Sequence, residues 1–276
     1  MSDLRTGAVA RLFDDLSPTY DQSGVAFFSP VAERLVALVR PVPGEQVADF
    51  GCGRGAVALR IASAVGPDGS VTAMDLAPGM VAATAEEAER RGLTWLRAVT
   101  GDAGGPDLPA ASLDLLTASL VLFFLPDPLA AVRCWLDLLG PGGRIGITTF
   151  GEQDEVWRAV DDLFDPYLPP GMLDPRTAGR RGPFSSESAL AALVSEAGGQ
   201  VTASVEEPLP VRFADVEQWE RFSLSTGQRQ MWQLVPEPER AGLRAAAGRL
   251  LESARPVPGG AIEVRQVIRC TLVERL

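Results

Sequence analysis

The sequence predicts an α/β protein built on a doubly wound, mostly parallel sheet. Three observations carry that prediction. Short apolar runs alternate with helical patterns from residue 45 to residue 150, the signature of strands joined by crossover helices. The first run, Val47-Ala48-Asp49-Phe50, enters a turn with glycine at alternate positions, Gly51, Gly53 and Gly55, that opens a helix. An acid then marks the end of each of the first three runs: Asp49, Asp75 and Asp102.

The elements follow in order. Ser29 and Pro30 read as the N-cap and first turn of a helix to about Arg40, because proline is tolerated where its missing N–H costs nothing. Pro41 to Gly44 breaks it, and Glu45 to Phe50 is the first strand. A helix then runs to Gly66, placed as a C-terminal cap, and Pro67-Asp68-Gly69 turns the chain. Ser70 to Met74 is the second strand, Pro78 opens a helix stopping at Gly92, and Thr94 to Thr100 is the third strand. The fourth, Leu113 to Val121, is nearly all apolar, as a strand buried on both faces should be. Asp127-Pro128 caps a helix to Gly140, and Arg144 to Phe150 is the fifth strand. Later come a helix over Ser186 to Ala197, strand six over Gln200 to Val205, a helix over Glu237 to Glu252 and strand seven over Ala261 to Val273.

The glycine turn brings backbone N–H groups close to a ligand at a helix N-terminus. Gly51, Gly53 and Ala56 also satisfy the loose dinucleotide fingerprint, so glycines alone do not choose among adenosine cofactors. Asp49 tips the choice, since it repels a pyrophosphate and welcomes an α-ammonium. Gly55 extends the pattern to G-x-G-x-G, and Asp102 suits an exocyclic amine. A cationic ligand joining an amino acid to an adenosine fits all three, and S-adenosylmethionine is that ligand.

With these residues in view, the chain resembles the class I S-adenosylmethionine-dependent methyltransferases, of the type related to the ubiquinone and menaquinone C-methyltransferases. Phe13-Asp14 through Tyr20-Asp21 is similar to that group's F-D-x5-Y-D element, and Asp75 to Met80 to its D-x-S-x-x-M segment. Gly101-Asp102-Ala103 matches its G-D-A, and Leu139 to Arg144 resembles its L-x-P-G-G-R. The resemblance runs to about residue 150 and implies a seven-stranded, Rossmann-like sheet. It also implies a cofactor site. Asp49 with the Gly51 and Gly53 backbone would hold the methionine end, and Asp75 the ribose hydroxyls. Asp102 would take the adenine amine, with the Ala103 N–H on the ring and Leu76 and Met80 on its faces. Ser119 would offer backbone to the ammonium, and Tyr20 would close over it from the N-terminal helix. The same site would accept the demethylated product, S-adenosylhomocysteine.

A single domain over 1–276 is expected, with an N-terminal helical cap (1–41) and a cofactor-binding core (42–150). Residues 151–276 would complete the sheet and carry lid insertions at 151–185 and 208–258. These hold Trp157, Phe164, Tyr167, Met172, Trp219, Phe222, Met231 and Trp232. Aromatics at helical spacing ordinarily pack a core; the expectation favoured here is a lid over an apolar acceptor pocket. Its walls would be Phe27, Phe28, Phe123, Phe124, Trp157, Tyr167, Trp219, Phe222 and Trp232.

Composition narrows the partners to a small molecule. A net charge of -11 argues against nucleic acid, whose phosphates require a basic face. Cys52, Cys134 and Cys270 lack metal spacing, and no metal is expected. No secretory leader is read before Phe13, and Leu115 to Leu125 is too short to span a bilayer, so a cytoplasmic, membrane-free enzyme is expected. The chain has no histidine, lysine or asparagine, so the usual neutral-pH base is missing. Any proton transfer would fall to a carboxylate, Tyr20 or Tyr167, and no catalytic residue is assigned. Methyl transfer to a bulky, largely apolar, polyketide-like natural product is the leading expectation. A methyltransferase-like pericyclase of polyketide pathways, keeping the cofactor as a structural element, is the alternative, because a cycloaddition needs no base. A non-catalytic cofactor-binding protein stands third.

Overall fold

A computed structural model describes residues 2–169 and 182–276. After helices α1 (Ser2–Leu16) and α2 (Phe28–Val39), strands and helices alternate as β1 (Gln46–Phe50), α3 (Ala58–Val65), β2 (Ser70–Asp75), α4 (Pro78–Arg90) and β3 (Leu96–Thr100). Then come β4 (Leu113–Ser119), α5 (Pro128–Leu138), β5 (Leu139–Gln153), α6 (Glu155–Asp162) and α7 (Glu187–Ala197). The described chain closes with β6 (Gly199–Phe213), α8 (Val216–Leu224), α9 (Arg229–Leu234), α10 (Glu237–Glu252) and β7 (Ile262–Arg275). The seven strands form one sheet in the order β3-β2-β1-β4-β5-β7-β6. β1 to β5 are parallel, while β7 runs antiparallel to both β5 and β6. The order reverses direction between β1 and β4, and in such sheets the ligand crevice lies there, beyond the carboxyl ends of the strands.

The alternation of side chains along a strand sorts the core into two layers. Val47 and Leu115 pack with Leu35, Val39 and Ile61 of α2 and α3. Ala48, Phe50 and Leu116 join the cluster of α5, α7 and the C-terminal helices. Local chemistry ends some helices where the sequence predicts, but Ser29 does not cap α2, which already begins at Phe28 behind Phe27 with no side-chain cap, and α5 stops at Leu138, short of Gly140. The Asp127 carboxylate accepts the Ala130 N–H at 2.9 Å, and Gly198, at φ 95°, ends α7. Arg144, the last residue of the L-x-P-G-G-R segment, donates to Glu45 at 2.6 Å and to the Val39 carbonyl at 2.7 Å. That arginine fastens the end of α2 to the start of β1.

Three expectations are corrected. Strand four stops at Ser119 rather than Val121, because Leu120 turns to φ 59° and Leu122–Phe124 forms a 3-10 turn. β6 does not end at Val205 but continues through Pro208 and Pro210 to Phe213. It is an edge strand, where proline removes no ladder bond that a neighbour needs. The second insertion therefore begins after Phe213, not at residue 208. The first insertion, with Met172, falls partly outside the described residues.

Candidate functional site

The end of β1 is a turn that demands glycine. Gly51 has φ 64°, and a Cβ there would lie 2.2 Å from Val121 Cγ2. Neither the dihedral nor the space admits a larger residue. Hydrogen bonds hold the turn open. The Cys52 N–H donates to the Met74 carbonyl at 3.0 Å, the Gly53 N–H to Asp75 Oδ2 at 2.9 Å, and the Thr84 hydroxyl to the Gly53 carbonyl at 2.8 Å.

Three carboxylates converge beside this turn. Asp49 is almost wholly buried; its Oδ1 accepts the Thr117 hydroxyl at 2.7 Å, while Oδ2 has no partner among the described residues. Burial pushes its carboxyl up to about 7, with the Thr117 hydroxyl and the approach of the Ala58 backbone N–H pulling the other way. Asp75 accepts the Gly53 N–H on Oδ2 and the Ala77 N–H, at 2.9 Å, on Oδ1. The Leu76 N–H acts on the same carboxylate, and with about four lone-pair sites in all the pair of oxygens keeps accepting capacity. Burial raises this carboxyl too. Asp21, in the left-handed region at φ 57°, is pushed up to about 6 by burial, while Arg54 and Arg60 oppose the rise.

These groups line a cavity of about 560 Å³. Its walls include all ten residues expected at the cofactor: Tyr20, Asp49, Gly51, Gly53, Asp75, Leu76, Met80, Asp102, Ala103 and Ser119. The N-terminal segment contributes Thr6, Val9 and Phe13, and α1 is fastened there by Gly79 N–H donating to Asp14 Oδ1 at 2.7 Å. Tyr20 lies in the turn after α1, not on the helix, and stacks on Phe28 with ring centroids 4.6 Å apart. A second, smaller cavity of about 70 Å³, called the inner cavity below, adjoins the first and shares Phe13, Tyr20, Phe28, Leu120 and Phe124 with it.

Of the aromatics expected around an acceptor, Phe27, Phe28, Phe123, Phe124, Trp157 and Phe222 line the inner cavity. Trp219, Trp232 and Tyr167 line neither, which corrects the expectation for those three. Trp219 and Trp232 are core residues, 5.9 Å apart, and the Trp232 indole donates to Ser223 Oγ at 2.7 Å. Tyr167 faces α10 instead, its hydroxyl donating to Glu239 at 2.6 Å. The insertion is in large part core, as aromatics at helical spacing usually are.

The geometry also narrows the candidate bases. Burial and the charges of Asp21 and Asp75 hold the Tyr20 phenol far above its ordinary range, and Glu239 raises that of Tyr167. Neither is a phenolate at neutral pH. Sequence reasoning assigned no role to Asp21, Thr84, Gln228 or Gln266, all drawn into the site or its walls. Only Asp21 had a signal, as the last residue of the N-terminal motif. Among the described residues no group of three or more His, Cys, Asp or Glu could hold a metal, and no helix is long and apolar enough to cross a membrane.

Known proteins place these features in context. Residues 47–143 match a family model described as a methyltransferase domain. The nocamycin O-methyltransferase of Saccharothrix syringae is 39% identical over 85% of this chain and 87% of its own. The aklanonic acid methyltransferase DauC of Streptomyces sp. (strain C5) is 40% identical over 60% of this chain and 76% of its own. In shape the chain is similar to the (4+2) cyclase SpnF, with a TM-score of 0.56 across 90% of this chain and 81% of that one. Their identity is 19%, so the likeness concerns the fold alone.

Proposed function

Because this chain belongs to the class I S-adenosylmethionine-dependent methyltransferases that act on natural products, we propose that its main cavity holds the cofactor and its inner cavity the ring that bears the acceptor oxygen. The observation that carries the cofactor half is the unpartnered, buried Oδ2 of Asp49 beside the glycine turn. A buried acceptor left open costs free energy unless a ligand donor meets it, and an α-ammonium meets it with charge as well. Asp75 offers its remaining accepting capacity to the ribose diol. Asp102 uses Oδ1 for the Gly104 N–H and keeps Oδ2 for the adenine amine. Leu76 and Met80 flank the ring, Ala103 contributes its N–H, and Ser119 borders the methionine end.

When bound, S-adenosylmethionine supplies a methyl group activated by the adjoining sulfonium. The chain's own contribution is alignment and exclusion of water, which together lower such barriers by roughly 7–11 kcal/mol. Tyr20, Phe28 and Phe124 stand between the two cavities and orient the acceptor. No histidine is present, and the phenols stay protonated. That leaves a carboxylate, and Asp21, pushed up to about 6, lines the cavity; an acceptor with its own acidity, such as a carboxylic acid, enol or phenol, asks least of so weak a base. Similarity to an O-methyltransferase supports oxygen over carbon or nitrogen as the methylated atom.

The test is incubation with methyl-labelled S-adenosylmethionine and an extract of the producing cells. Label is expected in an apolar, acidic small molecule, with S-adenosylhomocysteine released. Replacing the cofactor with S-adenosylhomocysteine should stop turnover. Full-rate formation of a product with unchanged mass under that condition would overturn methyl transfer and favour a pericyclic ring closure.

A further inference from the structure

Asp21 lies at the end of the turn that follows α1, at φ 57°, a left-handed conformation that aspartate tolerates better than most residues. Its side chain is half-buried, lines the main cavity, and makes no hydrogen bond or ion pair among the described residues. The other acids of that wall are occupied. Asp49, Asp75 and Asp102 face the cofactor in the reading above, and Glu87 is paired with Arg90 at 2.5 Å and Arg91 at 2.6 Å. Glu86 is exposed on α4.

Two cations flank Asp21. Arg54, between Gly53 and Gly55, donates Nη1 to the Ser17 carbonyl at 2.7 Å and has no ion pair among the described residues. Arg60 of α3 is already tied to Glu33 of α2 at 2.9 Å and to Ser29 Oγ at 2.6 Å. Both oppose the burial that favours the protonated Asp21 carboxyl, and the Tyr20 phenol beside it stays neutral. A ligand cation gains little from an acid whose charge two guanidiniums already offset, whereas a proton donor finds a free oxygen. We propose that Asp21 is the catalytic base and Arg54 its positioning residue. The proposal rests on the methyl-transfer reading above and narrows the acceptor to a phenol or enol, since a carboxylic acid reaches neutral pH with no proton left to give. An Asp21 oxygen takes the hydroxyl proton as the acceptor oxygen bonds to the methyl group. The methyl–sulfur bond breaks with its electron pair left on sulfur, and the half-exposed carboxyl returns the proton to water. Arg54 ties the segment at Ser17 and supplies charge that keeps Asp21 ionised.

The experiment gives the full chain an extract of the producing cells and methyl-labelled S-adenosylmethionine, saturating at every pH so that Asp49 does not shape the curve. Initial label incorporation is followed from about pH 5 to 9, and S-adenosylhomocysteine affinity by calorimetry. In the wild type the rate should rise to a plateau through about pH 6, where Asp21 ionises. Asp21→Asn, which loses no hydrogen bond of the fold, should lower the plateau at least about hundredfold, the lower end of what a positioned base contributes. It should also abolish the rise while cofactor affinity stays unchanged. Asp21→Glu should restore part of the rate together with the rise. Arg54→Gln removes one of the opposing cations, so ionisation needs a higher pH and the rise should move to more alkaline values; Arg54→Lys should leave it in place. A smaller fall in Asp21→Asn, a rise that survives in it, a matching loss of S-adenosylhomocysteine affinity, or an unmoved rise in Arg54→Gln overturns the assignment. A wild-type chain that transfers no label strikes the methyl-transfer reading instead, so the two failures are told apart.

Discussion

Burial and charge pull in opposite directions at Asp49. Unfolded, its carboxyl titrates near the ordinary 3.8; folded and unliganded, burial moves that to about 7. Between those values the folded state holds a proton that the unfolded chain has released, so stability falls as pH rises through the window. Asp49→Asn removes the penalty and should raise the melting temperature of the unliganded protein at pH 8, an advantage that shrinks toward pH 5. The same substitution should weaken S-adenosylhomocysteine binding at pH 8, and wild-type affinity should itself decline from pH 8 to pH 6. Calorimetry and thermal denaturation across that range check both signs. Asp75→Ala should cost about 1.5–3 kcal/mol of cofactor affinity for each charge-assisted hydrogen bond lost; unchanged affinity would remove Asp75 from the ribose. Gly51→Ala should abolish binding, because its Cβ would meet Val121 at 2.2 Å. Such positions are legible in a sequence because a glycine in a tight turn, or a carboxylate closing an apolar strand, has a narrow chemical meaning. Gln266 was not legible, since only the pairing of β7 with β5 brings it to the cavity wall.

At the scale of elements, several boundaries in residues 42–150 are legible because each has its own chemical mark: Pro78 at the start of α4, Asp127 before α5, Gly66 after α3; β5 is not, since it already begins at Leu139, within the stretch expected to close a helix at Gly140. β6 was read short because Pro208 and Pro210 argue against a strand, and no local signal says that this strand lies at the edge. The helices α8 and α9 carry the expected lid, yet Trp219 and Trp232 bury their rings in the core and leave the cavity to Phe222 and to Thr226, Gly227 and Gln228 between the helices. Trp219 and Phe222, neighbours on α8, should therefore behave differently. Trp219→Ala should destabilise the fold by about 3–5 kcal/mol while the folded fraction binds S-adenosylhomocysteine normally. Phe222→Ala should chiefly weaken the acceptor, seen as a raised KM with cofactor affinity preserved. Equal thermal stability of Trp219→Ala and the wild type would restore the lid reading for that tryptophan.

On the scale of the whole molecule, the doubly wound sheet was legible because its parallel strands are buried and nearly uniform in character, with one acid closing each of the first three. The placement of residues beyond 150 was less so, because long-range pairing decides it. β6 and β7 pair from Gly199 with Arg275 to Phe213 with Ile262, so both ends of the second insertion leave from one closed rung. A loop whose ends are already held together adds little closure entropy as it lengthens, roughly 0.6 kcal/mol per doubling. The hairpin therefore works as a socket. Residues 214–261 can change in length and composition over generations without disturbing strand register or the cofactor turn, provided that the replacement still covers the apolar face it rests on. The part of the acceptor wall that this segment supplies, Phe222 and Thr226 to Gln228, is then exchangeable as a cassette. Exchanging this segment for its counterpart from the 39% identical relative should move substrate choice toward that enzyme while S-adenosylhomocysteine affinity stays put. The readout is paired: product profile for the cassette, calorimetry for the socket.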